Sequence, residues 1–138
     1  MWNQEKNYYD IYFLHSVDGA TYPFGPNGQD WTHTTTKDFI TYSKQETAIP
    51  AKGGDPKEGW HSAWTGSVVT DSQGISGIQN EEPVAYFTGL MDDGSQAIYA
   101  SASNDKGASF TNSLKDGKPL LTKEQSYNGK DFRDPYVF

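Results

Sequence analysis

The chain has 138 residues, no cysteine, 14 glycines, 7 prolines and a formal net charge of −7. That length supports one domain with a core and is too short for two. The excess of 18 acidic over 11 basic residues argues against a nucleic-acid partner. A mean hydropathy of −0.79 with no long apolar run argues against a membrane-spanning helix. Met1 is followed directly by Trp2 and polar residues, which does not read as a signal peptide. Without cysteine there is neither disulfide nor thiol chemistry, and the compartment stays open. Only 34% of residues are hydrophobic but 14% are aromatic, so the core must lean on Trp, Tyr and Phe.

In chain order, short runs with period-two apolar spacing predict strands over Tyr8–Leu14, Trp31–Thr36, Trp64–Thr70, Pro83–Thr88 and Gln96–Ser101, with another starting at Pro135–Phe138. Turn signals separate them at Asp18-Gly19, Gly25-Pro26-Asn27-Gly28, Gly53-Gly54, Asp93-Gly94, Asp116-Gly117 and Asn128-Gly129. The one helical expectation is a single turn within Thr36–Tyr42. The fold class is all-β, built of antiparallel hairpins.

Ser103-Asn104-Asp105-Lys106-Gly107-Ala108-Ser109-Phe110 resembles the Asp-box, a hairpin in which the Asp accepts turn amides, the Gly takes positive φ and the final aromatic packs beneath. With blades of about 40–50 residues and at least about four blades per closed ring, a propeller reading leaves this chain with two blades and part of a third.

The C-terminal stretch Asp131-Phe132-Arg133-Asp134-Pro135-Tyr136-Val137-Phe138 resembles the Arg-Asp-Pro signature of glycoside hydrolase family 32, the levanases, inulinases and invertases. Other segments follow the family's order. Tyr12-Phe13-Leu14-His15 resembles its first-blade strand, and Trp31-Thr32-His33 through Asp38-Phe39 its Trp-Gly-His segment. Trp64-Thr65-Gly66-Ser67 resembles its Trp-Ser-Gly-Ser segment, and Tyr86-Phe87-Thr88-Gly89 its Tyr-Thr-Gly strand.

The resemblance implies a partial five-bladed β-propeller, residues 1–138 being part of one glycosidase domain. It also implies a retaining β-fructosidase, which uses two carboxyl groups about 5–5.5 Å apart as nucleophile and acid/base. Asp134 would stabilise the oxocarbenium-like transition state, and Arg133 would orient neighbouring carboxylates with its fork of donors. Trp31, Trp64, Thr65 and His15 would contact the sugar, although Thr65 replaces the usual Ser and His15 a residue that is often Gln. His33 reads as structural. No segment matches the family's nucleophile or its acid/base Glu. Asp10 falls inside the first strand, and Glu5, Glu81 and Glu82 read as surface residues. The isolated chain is therefore expected to be inactive.

Partners implied are a fructan or sucrose-type carbohydrate and either the remainder of the propeller or another copy of the chain. Polymeric substrate suggests an extracellular or periplasmic setting. The alternatives are a family 43-like arabinan or xylan glycosidase and a non-catalytic carbohydrate-binding propeller module. His15, His33 and His61 show no metal-ligand spacing, and no phosphate-cradling loop or Gly-x-Ser-x-Gly elbow is present, so no metal and no cofactor is expected.

Overall fold

The computed structural model describes residues 1–17, 27–51, 60–74, 77 and 82–138. The turns expected at Asp18-Gly19, Gly25-Pro26 and Gly53-Gly54, and Glu81, lie outside the described residues. Two antiparallel sheets emerge. The first runs β1 (Trp2–Asn3), β2 (Tyr8–Ser16), β3 (Gln29–Thr36), β4 (Glu46–Ile49). The second runs β5 (Ser62–Thr70), β6 (Pro83–Leu90), β7 (Gln96–Ala102), β8 (Asn112–Ser113), with β9 (Leu121–Thr122) also pairing with β7. The first sheet is a meander of sequential neighbours, and the second is one through β8, with β9 returning to β7. The chain is an all-β, partial β-propeller, with one blade in each sheet.

Register decides which side chains meet. Pairing Tyr12 with His33 and Leu14 with Trp31 puts these four on one face of the first sheet. Pairing Phe87 with Tyr99 puts both on the facing side of the second. Between the sheets Trp31, Ile49, Trp60, Phe87, Tyr99 and Phe110 form the buried core. Ring centroids are 4.9 Å apart for Trp60–Tyr99, 5.1 Å for Trp60–Phe87 and 5.5 Å for Tyr12–Phe110, within the range of favourable aromatic pairs. A core poor in Leu thus closes on rings, as the composition required.

Several hydrogen bonds among the described residues tie the sheets together. Trp31 Nε1 donates to the Trp64 carbonyl at 2.9 Å and the Tyr12 hydroxyl to the Gly107 carbonyl at 2.7 Å. The Gln29 amide donates to Ser62 Oγ at 3.2 Å and the Phe110 amide to the Ala48 carbonyl at 2.9 Å. Burial pushes the Tyr12 phenol far above its ordinary range, so it remains a neutral donor.

The Asp-box forms as its residues require. Ser103 Oγ accepts the amides of Asp105 and Gly107 at 3.1 and 2.8 Å. Asp105 accepts the Ser109 amide at 2.8 Å, the Ser109 hydroxyl at 2.7 Å and the Ser103 hydroxyl at 2.8 Å. Gly107 has φ +93, and an added Cβ would lie 2.7 Å from the Tyr12 hydroxyl, so glycine is required twice over. Partial burial opposes the charged form of Asp105, but these hydrogen bonds outweigh it and hold its carboxyl below the ordinary 3.8. A depressed carboxyl contributes stability that is fully present above the unfolded value and is lost as pH falls through the folded one. The urea midpoint should therefore drop as pH is lowered below about 4, and Asp105→Asn should flatten that drop. An unchanged acid profile in the variant would remove Asp105 from the account.

Two sequence expectations are corrected. Thr36–Tyr42 is not a helical turn. Thr36 Oγ1 accepts the Phe39 amide at 2.9 Å, and Asp38 Oδ1 accepts the Ile40 and Thr41 amides at 2.9 and 2.8 Å. Side-chain acceptors thereby capture the amides a helix would use, and Phe39 is left at φ 57. The Thr41 and Ile40 amides, with the Thr41 and Thr36 hydroxyls adding less, hold the exposed Asp38 carboxyl down to about 2. Second, Pro135–Phe138 joins no ladder: the Val137 amide donates to the Ser67 side chain of β5, Oγ at 2.9 Å, and not to a backbone carbonyl. In addition, β4 was not foreseen, because Glu46–Ile49 is short and only its last two residues are buried. The turn expected at Asn128-Gly129 closes earlier, where the Tyr127 amide donates to the Glu124 carbonyl at 3.0 Å.

Candidate active site

The inner edges of β2 and β5 face each other across a cleft of about 400 Å³, lined by Met1, Asp10–Leu14, Trp31 and Thr65–Val68. At one end of it the chain makes a β-bulge. Ala63 pairs with Gly89 and Gly66 with Phe87, so Trp64 and Thr65 together oppose Thr88. Such a bulge re-aims a side chain, and here it is Thr65 that turns to the C-terminal segment. A Cβ at Gly66 would collide with the Tyr86 carbonyl oxygen and the Phe87 Cα, which is why the bulge needs glycine at its end.

Asp134 docks on this bulge. The Thr65 hydroxyl donates to Asp134 Oδ1, and the Asp134 amide donates to Thr88 Oγ1 at 2.8 Å. One residue pair from β5 and β6 thus holds both the side chain and the backbone of Asp134. The backbone sits at φ 63, a left-handed conformation that Asp tolerates better than most residues and that is often found where geometry is over-determined. Arg133 forks between two carboxylates. Its Nη1 lies 2.9 Å from Asp131 Oδ1 and its Nε 3.5 Å from Asp134 Oδ2. The pairs are partly exposed, so they orient more than they stabilise. Phe132 is fixed by its amide donating to Gln96 Oε1 at 2.9 Å.

The structure therefore brings Thr65, Arg133 and Asp134 into one cluster, with Trp64 in the bulge beside them. Trp31 borders the cleft but is only 5% exposed, and its indole N–H is spent on the Trp64 carbonyl. His15 is not brought to this face. It pairs with Asp30 across the ladder, its Nδ1 3.1 Å from that carboxylate, on the face of β2 that carries Ile11 and Phe13, and is not among the residues lining the cleft. Asp10 lies within β2, as read from the sequence, and is 1% exposed with His33 Nε2 2.8 Å from its Oδ1. His33 is structural in this arrangement, but its bond joins neighbouring strands of one sheet and not two blades. Glu5 pairs with Lys106 at 2.6 Å and Glu82 accepts the Lys106 amide at 3.0 Å, both away from the cluster.

Sequence reasoning passed over Thr88, Gln96 and Ser67, the three side chains that seat the C-terminal segment. Only Thr88 had a usable signal: period two along Val84, Tyr86 and Thr88 puts it on the side of β6 to which Asp134 docks. Among the described residues no group of three or more His, Cys, Asp or Glu side chains is arranged to hold a metal ion.

The model of the glycosyl hydrolases family 32 N-terminal domain matches residues 2–138. Levanbiose-producing levanases of Bacillus subtilis (strain 168) and Geobacillus stearothermophilus are each 35% identical over 130 residues. These alignments cover 94% of this chain, and 23% and 30% of those proteins. The chain thus spans roughly a quarter of the length of these relatives. The solved fructofuranosidase from Schwanniomyces occidentalis complexed with fructosylnystose superposes with a TM-score of 0.78 at 22% identity, over 99% of this chain and 25% of that one. Fructan 1-exohydrolase IIa from Cichorium intybus gives 0.67 at 16% identity, over 94% and 22%. These two likenesses establish the fold.

Proposed function

Because the chain belongs to glycosyl hydrolase family 32, we propose that it forms part of the catalytic propeller of a retaining β-fructofuranosidase acting on fructans or sucrose. The observation that carries this reading is the double hold on Asp134 by Thr65 and Thr88, with Arg133 beside it. A carboxylate fixed in both backbone and side chain is preorganised to accept hydrogen bonds from fructosyl hydroxyls as positive charge develops on the ring. Asp134 is then a transition-state stabiliser and Arg133 the group that sets its orientation. Thr65 and Trp64 border the sugar on the bulge. Trp31 supports that border chiefly through the core, and His15 stands on the other face of β2. The likeness to levanases favours levan as the polymer and does not favour the arabinan or xylan reading. Such a polymer is met outside the cytoplasm, which fits an extracellular or periplasmic setting.

Cleavage with retention needs a nucleophile and an acid/base besides Asp134. The 138-residue chain should therefore release no fructose from sucrose, inulin or levan. A hybrid in which these residues replace the matching segment of a levanase should release it. Fructose release by the chain alone overturns the division of labour; an inactive but well-folded hybrid overturns the enzymatic reading.

A further inference from the structure

The segment from Phe132 to Val137 lies on the second sheet without joining a ladder. Side chains from three neighbouring strands hold it. The Phe132 amide donates to Gln96 Oε1 of β7 at 2.9 Å and the Asp134 amide to Thr88 Oγ1 of β6 at 2.8 Å. The Val137 amide donates to Ser67 Oγ of β5 at 2.9 Å.

These three acceptors follow one line. Gln96 opposes Leu90 and Ser67 opposes Tyr86, so together with Thr88 they mark successive even-numbered levels of β6. They share the face turned away from the core of Trp60, Phe87 and Tyr99, and they cross it on a diagonal. Each step is about 5 Å across the strands and about 7 Å along them. Two or three extended residues and the reach of a side chain span that distance. Around the diagonal the face is apolar, with Val84, Tyr86, Ile98 and Ala100. Thr88 within it is fully buried. A polar diagonal on an apolar face selects one path for the segment, because any other path leaves its amides without acceptors.

Gln96 and Thr88 grip the residues on either side of Arg133, whose guanidinium in turn spans Asp131 and Asp134. Holding Phe132 as well as Asp134 sets where the fork starts, and so the direction from which it meets Asp134 Oδ2. Thr65 holds the other carboxylate oxygen. We infer that Gln96 is a positioning residue for Asp134. Through the Phe132 amide it places Arg133, and through Arg133 it turns the carboxylate to the substrate. This role rests on the one proposed for Asp134, and it comes from β7, which supplies no other group to the cluster.

In the 138-residue chain, Gln96→Leu removes the acceptor and keeps the bulk. Amide hydrogen exchange read by NMR should become about tenfold faster at both Phe132 and Asp134, as loss of one hydrogen bond allows. The amides of the β6–β7 ladder should stay protected. Unchanged exchange at Phe132, or acceleration confined to Phe132, overturns the inference. Should the ladder loosen too, Gln96→Glu decides, since it keeps an acceptor for the Phe132 amide. Slow exchange at Asp134 in that variant supports the inference, and fast exchange overturns it. In an active levanase hybrid carrying this segment, Gln96→Leu should lower kcat by about 10–10²-fold, as a misplacement of about 1 Å can. KM should stay within about twofold, and Gln96→Glu should restore most of kcat. A purely structural residue would lower the melting temperature and leave kcat per folded enzyme unchanged; that result overturns the inference, as does a Gln96→Glu hybrid as slow as Gln96→Leu. An inactive parent hybrid counts against the enzymatic reading alone, and the exchange measurement then decides the part played by Gln96.

Discussion

Replacing Trp31 by alanine is expected to cost about 3–5 kcal/mol of folding stability, the range for deleting a buried aromatic. Trp31 is 5% exposed, its ring lies 6.3 Å from Phe87 across the sheets, and its indole N–H donates to the Trp64 carbonyl. The change removes packing between the two blades and one of the hydrogen bonds that join them. Against a typical total of about 5–15 kcal/mol, that loss is a large share, and the urea midpoint should fall accordingly. Trp31→Phe keeps most of the ring and loses the donor, so its cost should be nearer the ~1–3 kcal/mol of an orphaned buried acceptor. If Trp31 served the sugar alone, alanine would leave the urea midpoint where it was. That result would return the residue to the binding role its motif suggests.

In an active levanase hybrid carrying this segment, Asp134→Asn should lower kcat on the order of 10²–10³, the cost of removing one preorganised transition-state contact. KM should change little. Asparagine keeps an acceptor for the Thr65 hydroxyl and tolerates φ 63, so this variant isolates the charge from the fold. Asp134→Ala should cost an additional ~1–2 kcal/mol in stability, since alanine pays for the left-handed backbone. Thermal unfolding of the two variants separates these effects. A hybrid with asparagine at this position and unreduced kcat would remove Asp134 from the chemistry.

The parts of the molecule that were legible beforehand are those written in local periodicity and turn chemistry. Alternation identified the main strands within a few residues of their ends, since a half-buried strand must repeat every second residue. Ser103, Asp105, Gly107 and Phe110 announced their hairpin because the turn uses those side chains on its own backbone. The segment Thr36–Tyr42 misled for a related reason. Its spacing suits a helical turn, but Thr36 and Asp38 intercept the amides first. β4 was missed because its hydrogen bonds come from β3, on which Glu46–Ile49 relies more than on its own pattern.

Taken alone, the amino-acid sequence determined an all-β chain with an aromatic core, an Asp-box and an Arg-Asp-Pro segment. Each of these rests on residues within a few positions of one another. Only the tertiary structure decided that a bulge of Trp64 and Thr65 seats Asp134, that His15 is held by Asp30 while Trp31 is mostly core, and that β2 and β5 border one cleft. Thr65 and Asp134 are 69 positions apart, and the face on which His15 lies depends on its register with Asp30. Such relations arise from strand pairing and inter-sheet packing, which join distant positions and leave little trace in any short stretch of sequence.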